Sequence, residues 1–289
     1  MSVSQDIIRQ IKKCVTFVYV KGAHGNWVAN GTGFFIGVKN ENDPKISNVY
    51  LVTAKHVIHS GGSLILPLAI RLNKFEGNAQ VTEISLKEGD VIMHPDPDVD
   101  LAVIGCLPDQ KIFDFLMLPQ ELICEKKVIE NEKICEGDEV FFAGLFTSHV
   151  GQKQNQPIIR FGKIALMSDE KIEWRDTKDK PAKLLDLYLL ECQSFGGNSG
   201  SPVFFHLVPL RTGNLVLGGG PKIFLGGVMR GSFLNLNEIQ VVKTQKSAIS
   251  VENLGVAAVT PAYFLQEILF SEDLIKARKA GTPKPQSSN

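Results

Sequence analysis

The feature that most constrains the fold is a series of short segments rich in β-branched and aromatic residues, at 15–20, 33–38, 49–53, 64–72 and 101–104. Val, Ile, Phe and Tyr suit a pleated, half-buried surface, and clusters such as Asn40-Glu41-Asn42-Asp43-Pro44 and His94-Pro95-Asp96-Pro97-Asp98 between the segments favour turns. Residues 108–136 lose the pattern, and a second series follows at 139–145, 157–167, 184–192, 202–207, 222–229 and 256–260. The spacing predicts an all-β chain, two β units of comparable size joined by a connector. Helices are expected only at the ends. Ile7, Ile8, Ile11 and Cys14 recur at helical spacing behind Ser2 or Ser4 as N-cap, and 262–270 follows Thr260 as cap with Pro261 at the first helical position. The expected boundaries are a helix at 1–14, β units at 15–115 and 137–260, a connector at 116–136, a helix at 261–280 and a loose tail at 281–289. The stretches 169–183, 208–221 and 235–253 read as surface loops.

Composition narrows the partners. The chain has 289 residues and 44% hydrophobic content, enough for a packed core, and its 31 Lys plus Arg balance 31 Asp plus Glu. No broad field of either sign draws it to nucleic acid or to a membrane surface. Cys14, Cys106, Cys124, Cys135 and Cys192 are odd in number and lack CxxC or Cys/His spacing, so they read as free core thiols, with no metal site. Met1-Ser2-Val3-Ser4-Gln5-Asp6 lacks a basic start with an unbroken apolar run, and nothing later reaches the ~18 apolar residues of a membrane span. A soluble protein of a reducing cytoplasm is expected. His24, His94, His149 and His206 show no metal spacing, and His59 reads as facing solvent or capping a turn. Gly218-Gly219-Gly220-Pro221-Lys222 lacks the spacing of a phosphate loop and reads as a hairpin tip, while Cys192 reads as a buried small hydrophobe rather than a nucleophile.

The chemistry concentrates in three places: His56 after Leu51-Val52-Thr53-Ala54-Lys55, Asp100 before Leu101-Ala102-Val103, and Ser199 in Gly197-Asn198-Ser199-Gly200-Ser201-Pro202. A serine hydroxyl attacks only when a base takes its proton, and that base needs an anion to fix its tautomer and stabilise its charged form. His56 supplies the base, Asp100 the anion and Ser199 the nucleophile. Gly197 lets the backbone aim its amide, with that of Ser199, at a developing oxyanion, and Gly200 leaves room behind the nucleophile. Gly-Asn-Ser-Gly alone also admits a turn between strands; its ordered occurrence after His56 and Asp100 favours catalysis. Asp96 and Asp98 are the local rivals of Asp100, but they belong to the Pro-rich turn rather than to an apolar strand start.

These motifs closely resemble the trypsin-like, chymotrypsin-fold serine peptidases, and among them the HtrA-like branch. Gly31-Thr32-Gly33-Phe34 and Gly227-Val228-Met229-Arg230-Gly231 extend the likeness to roughly residues 14 to 270. The resemblance implies two perpendicular six-stranded β-barrels, His56 and Asp100 in the first and Ser199 in the second, with the active site between them. It further implies a cofactor-independent endopeptidase acting on polypeptide substrates. Gln193 and Ser194 would lie near the base of the specificity pocket, with Met229, Arg230 and Gly231 along its edge. No acidic residue stands at that base, so a small or medium uncharged side chain is expected before the scissile bond. Val57 stands where extracellular relatives have a disulfide Cys, Asn198 replaces the Asp that pairs with a newly cut N-terminus, and Ser201 replaces a Gly. Activation by that cut is therefore not expected, and the about 20 residues after the helical run 262–270 are too few for the PDZ modules of HtrA-like enzymes. Control through loops, a homo-oligomer or a regulatory protein partner is the expectation. Two further readings stay open: a protease gated by a partner, and an idle trypsin-like fold used for binding.

Overall fold

The computed structural model describes residues 3–87, 89–175, 181–208, 220–241 and 246–280. Helix α1 (Gln5–Cys14) begins where the Ser4 hydroxyl accepts from the Ile7 amide at 3.3 Å, and it turns Ile11 and Cys14 into the core. The first β unit comprises β1 (Val15–Lys21), β2 (Trp27–Lys39), β3 (Ser47–Thr53), β4 (His59–Ser60), β5 (Ser63–Leu64), β6 (Leu68–Leu72), β7 (Gln80–Ile84), β8 (Val91–Met93), β9 (Ala102–Gly105) and β10 (Leu118–Pro119). Helix α2 (Lys55–Ile58) is a single turn between β3 and β4.

The main sheet of this unit runs β7–β6–β1–β2–β3–β9–β8, with β10 added parallel to β2. A closed six-stranded barrel is the expectation from resemblance; here β7 and β8, the two edges, are not paired with each other among the described residues. Helix α5 (Glu272–Lys279) lies across the gap, and a cavity of about 300 Å³ remains there between Leu72, Ile84, Ile92, Phe113, Leu274 and Arg278. Strands β7 and β8 fall outside the predicted segments, because Gln80-Val81-Thr82-Glu83-Ile84 has only two apolar residues, three positions apart, and β8 is three residues long.

The second unit contains β11 (Glu139–Gly144), β12 (Ile158–Met167), β13 (Ile172–Trp174), β14 (Lys183–Leu185), β15 (Tyr188–Glu191), β16 (Pro202–Leu207), β17 (Lys222–Val241) and β18 (Lys246–Pro261). Six of these strands close an antiparallel barrel in the order β11–β12–β15–β18–β17–β16. Two of the expected loops are strand instead. β13 and β14 pair as a small sheet within and beyond 169–183, and the polar stretch 235–253 continues β17 and β18 as a hairpin still in register at Val241↔Lys246. Backbone pairing needs no apolar side chains, so polarity misleads there. Most of 208–221, including Gly218 and Gly219, and the tail 281–289 lie outside the described residues.

The connector holds β10, a 3₁₀ turn at Gln120–Leu122 and helix α3 (Lys126–Glu132). At the C-terminus β18 runs through Thr260, and Pro261 itself is the N-cap of α4 (Ala262–Leu269). The single helix expected at 261–280 is two, because Ser271 adopts extended backbone between α4 and α5. One core joins the two units: Phe17, Phe34 and Val103 pack in the same cluster as Phe141, Phe204 and Leu265. Full burial of each such side chain is worth roughly 1.5–3 kcal/mol, which fixes the units against each other. All five cysteines are free; Cys135 is exposed rather than in the core because it sits in the turn before β11. Among the described residues no helix is long and apolar enough to cross a membrane.

Candidate active site

His56 and Asp100 meet because neighbouring strands end together. β3 and β9 pair with Thr53 opposite Ala102, so the turn of α2 just after β3 lies beside the residues just before β9. Asp100 uses both carboxylate oxygens: Oδ1 accepts the His56 amide at 2.9 Å and Oδ2 lies 2.6 Å from His56 Nδ1. This grip fixes the ring and assigns the Nδ1 proton to the side facing Asp100, leaving Nε2 as the basic nitrogen. Burial alone would push the Asp100 carboxyl up; the His56 ring and its hydrogen bonds, together with the Arg230 guanidinium, reverse that and hold it at about 2.

Ser199 lies on a turn stitched to both units. Its carbonyl accepts the Thr32 amide of β2 at 2.9 Å, and the Thr32 hydroxyl donates to Gly197 O at 2.7 Å while accepting from Leu145 N at 2.9 Å. Gly197 and Gly200 both have positive φ, 96° and 86°. At Gly200 a Cβ would collide with Thr32 O and Thr53 Oγ1, so only glycine lets β2 and β3 approach the turn. Asn198 is spent internally, its Nδ2 donating to Leu145 O at 2.6 Å and its Oδ1 accepting the Phe195 amide at 2.8 Å. Ser201 fits because it packs against Gly144, where a Cβ would strike its hydroxyl. The Gly200 amide donates to Met229 O at 2.8 Å; among the described residues the Gly197 and Ser199 amides have no protein acceptor.

His56, Asp100 and Ser199 line one cleft of about 700 Å³. The Ser199 hydroxyl donates to the Arg230 carbonyl at 3.0 Å, and no hydrogen bond joins it to His56 among the described residues. Of the expected pocket residues, Arg230 and Gly231 line the cleft, and Ser194 is buried with its hydroxyl 2.5 Å from that of Ser232. Gln193 is exposed and does not line the cleft. Met229 is a correction: its side chain is in the barrel core, and its amide and carbonyl bond Ser201 O and Gly200 N, so it has no edge to offer a substrate.

Four cleft residues escape the sequence reading. Trp174 of β13 packs at 4.9 Å against Phe233 and stands beside Gly231, where a Cβ would make ordinary contact with the indole. Lys183 of β14 binds Asp98 at 2.5 Å, so Asp98 belongs to the cleft as well as to its turn. His59 caps the turn of α2, its amide donating to Lys55 O, which is one of the two roles expected of it; it is also half-buried in the cleft wall, and burial followed by the Lys55 charge lowers its pKa. The available signal was the apolar alternation Ile172-Glu173-Trp174 inside a charged stretch. His94 and His206 pair with Glu267 at 2.8 Å and Glu139 at 2.9 Å, outside the cleft. Cys192 is buried, and desolvation pushes its thiol up to about 11, which suppresses the thiolate needed for attack. Among the described residues no group of three or more His, Cys, Asp or Glu is arranged to hold a metal ion.

No protein-family model matches the chain, and no curated protein matches it.

Proposed function

We propose that the protein is a serine endopeptidase of the trypsin-like kind, with His56 as base, Asp100 as its anion and Ser199 as nucleophile. The observation that carries this reading is the two-pronged hold of Asp100 on His56, through the amide and Nδ1, in the cleft that contains Ser199. On this reading the open N-terminal sheet is the counterpart of the first barrel in a two-barrel fold, and the closed barrel is the second.

In the reaction the Ser199 hydroxyl rotates from the Arg230 carbonyl toward His56 Nε2. Its oxygen attacks the substrate carbonyl carbon as the proton passes to Nε2, and the carbonyl π electrons move onto oxygen. The Gly197 and Ser199 amides, without a protein acceptor among the described residues, stabilise that oxyanion, each donor worth about 3 kcal/mol. Collapse of the intermediate expels the amine, which takes the proton from His56, and water then hydrolyses the acyl-enzyme by the same steps. Ser194 and Ser232, hydrogen bonded at 2.5 Å, narrow the specificity pocket with neutral hydroxyls, supporting a small uncharged residue before the scissile bond. The substrate is a polypeptide, no cofactor takes part, and the reading places the enzyme in the cytoplasm.

A gated form of the same enzyme is favoured by one observation. The Ser199 hydroxyl is held by Arg230 O rather than by His56, as a resting site would hold it. Intact-mass detection of a fluorophosphonate adduct tests both forms. Labelling of the wild type, lost in Ser199→Ala and His56→Ala, is the expected result. Labelling that survives Ser199→Ala overturns the assignment, and labelling only after addition of a cell extract identifies the gated form.

A further inference from the structure

Among the described residues outside the candidate triad, Arg230 touches both Ser199 and Asp100. The pairing of β17 with β18 steps from Met229↔Val259 to Gly231↔Ala258, so Arg230 is the extra residue of a β-bulge. Bulges beside functional sites re-aim a side chain, and this one turns Arg230 out of the barrel and across to the other unit. Its carbonyl accepts the Ser199 hydroxyl at 3.0 Å. Its guanidinium sits 3.8 Å from Asp100 Oδ2 and 3.4 Å from Asp98 O, with Trp174 behind it at 5.4 Å from the ring centre. The side chain is only 10% exposed. Asp100 is already held twice by His56, so the cation is an addition to what the triad needs.

We propose that Arg230 is a positioning residue that couples nucleophile and carboxylate across the two units and extends activity to lower pH. The proposal rests on the serine peptidase reading above. A fixed cation beside Asp100 opposes the arrival of a second positive charge in the cleft, so the base stays available at acidities where it would otherwise be lost. The other charged groups facing this point do not replace it. Lys183 is bound to Asp98, Lys55 donates to Pro97 O, and His59, which lines the same cleft, has its pKa lowered by burial and by Lys55. Trp174 keeps the guanidinium in place by stacking, a contact Lys would make less well.

The test is the rate of fluorophosphonate labelling against pH for the full-length wild type, Arg230→Met, Arg230→Lys and Trp174→Leu, each checked for native circular dichroism. Arg230→Met should move the acid limb of the profile up by about one pH unit, as expected for one charge removed at a short range of intermediate dielectric. Arg230→Lys should keep most of the wild-type limb, and Trp174→Leu should move it in the direction of Arg230→Met by a smaller amount. A slower rate with an unmoved limb in both Arg230→Met and Trp174→Leu overturns the proposal, since a merely structural residue lowers the rate at every pH alike. Absence of labelling in the wild type is a different failure, that of the peptidase reading itself.

Discussion

The C-terminal barrel closes on itself through six continuously paired strands, whereas the N-terminal sheet leaves β7 and β8 apart and covers the gap with α5. Both halves nevertheless present their site residues firmly. In the open sheet His56 and Asp100 follow and precede β3 and β9, which pair with each other from Thr53↔Ala102 to Tyr50↔Gly105, so the strand ends beside the site are held although β9 also neighbours the edge strand β8. In the closed barrel Ser199 lies on a turn outside the strands, and its rigidity comes from hydrogen bonds to Thr32, Asn198 and Met229 instead. Closure of a sheet and precision of a site are thus separate properties here. What fixes each side chain is the completeness of pairing immediately around it.

The largest expected effect lies on the open-sheet side of that comparison. Asp100→Asn keeps the shape but exchanges an acceptor for a donor at one prong, releasing the His56 tautomer; labelling should fall by roughly 10⁴-fold with the fold intact. A loss of tenfold or less in the labelling rate would mean that the strand ends do not orient the base. On the barrel side Gly200→Ala forces a Cβ against Thr32 O at positive φ, and the seam between units must open. Urea denaturation should show a loss of about 3–4 kcal/mol, together with loss of labelling. A variant with wild-type stability would show that the turn is not pinned between the sheets.

Packing distinguishes the halves next. Phe142 is fully buried within the closed barrel, and Phe142→Ala should cost about 4 kcal/mol because six paired strands resist collapse around the void. Leu72 borders the existing 300 Å³ cavity of the open sheet, where fewer packing atoms are lost, and Leu72→Ala should cost about 2 kcal/mol. Equal losses in thermal denaturation would show that the two interiors are equally tight.

Much of this site was legible before any coordinates, and for a local reason. His56 and Asp100 each adjoin an apolar strand, Ser199 sits among glycines that a tight turn requires, and these are signals carried within a few residues. Trp174 and Lys183 were not legible, because their place in the cleft depends on Arg230 and Asp98, far away in sequence. Met229 was misread because strand register, not residue type, decides which peptide groups are already bonded. Arg230 lines the cleft, but its reach to Asp100 depends on a bulge that no residue type announces. The open sheet was hidden in the same way: the cavity between β7 and β8 is lined by α5, nearly two hundred residues further along the chain.

The smallest expected effect tests how the gap in the open sheet is held shut. Arg278 of α5 is fully buried, and its guanidinium donates to Glu41 at 2.6 and 2.9 Å and to Leu269 O at 2.7 Å. Asn40 and Asn42 add donors to the carbonyls of Arg278 and Lys279, so the loop after β2 clamps the end of the covering helix. The hydrogen bond from Arg278 holds the Glu41 carboxyl below its ordinary pKa, with burial opposing. Such a group adds stability that is present above its unfolded value and disappears as pH falls through the lower folded value. Glu41→Gln keeps one acceptor but removes the charge, and because Glu41 is solvent-screened it should cost only about 1 kcal/mol at pH 7, and less as pH falls through the lowered folded value, where the wild type loses the same contribution. Hydrogen exchange should localise the loss to α5, β7 and β8 and spare the closed barrel, whose edges are joined by backbone bonds that do not titrate. Loosening spread evenly over both halves would instead show that the clamp stabilises the shared core rather than the gap.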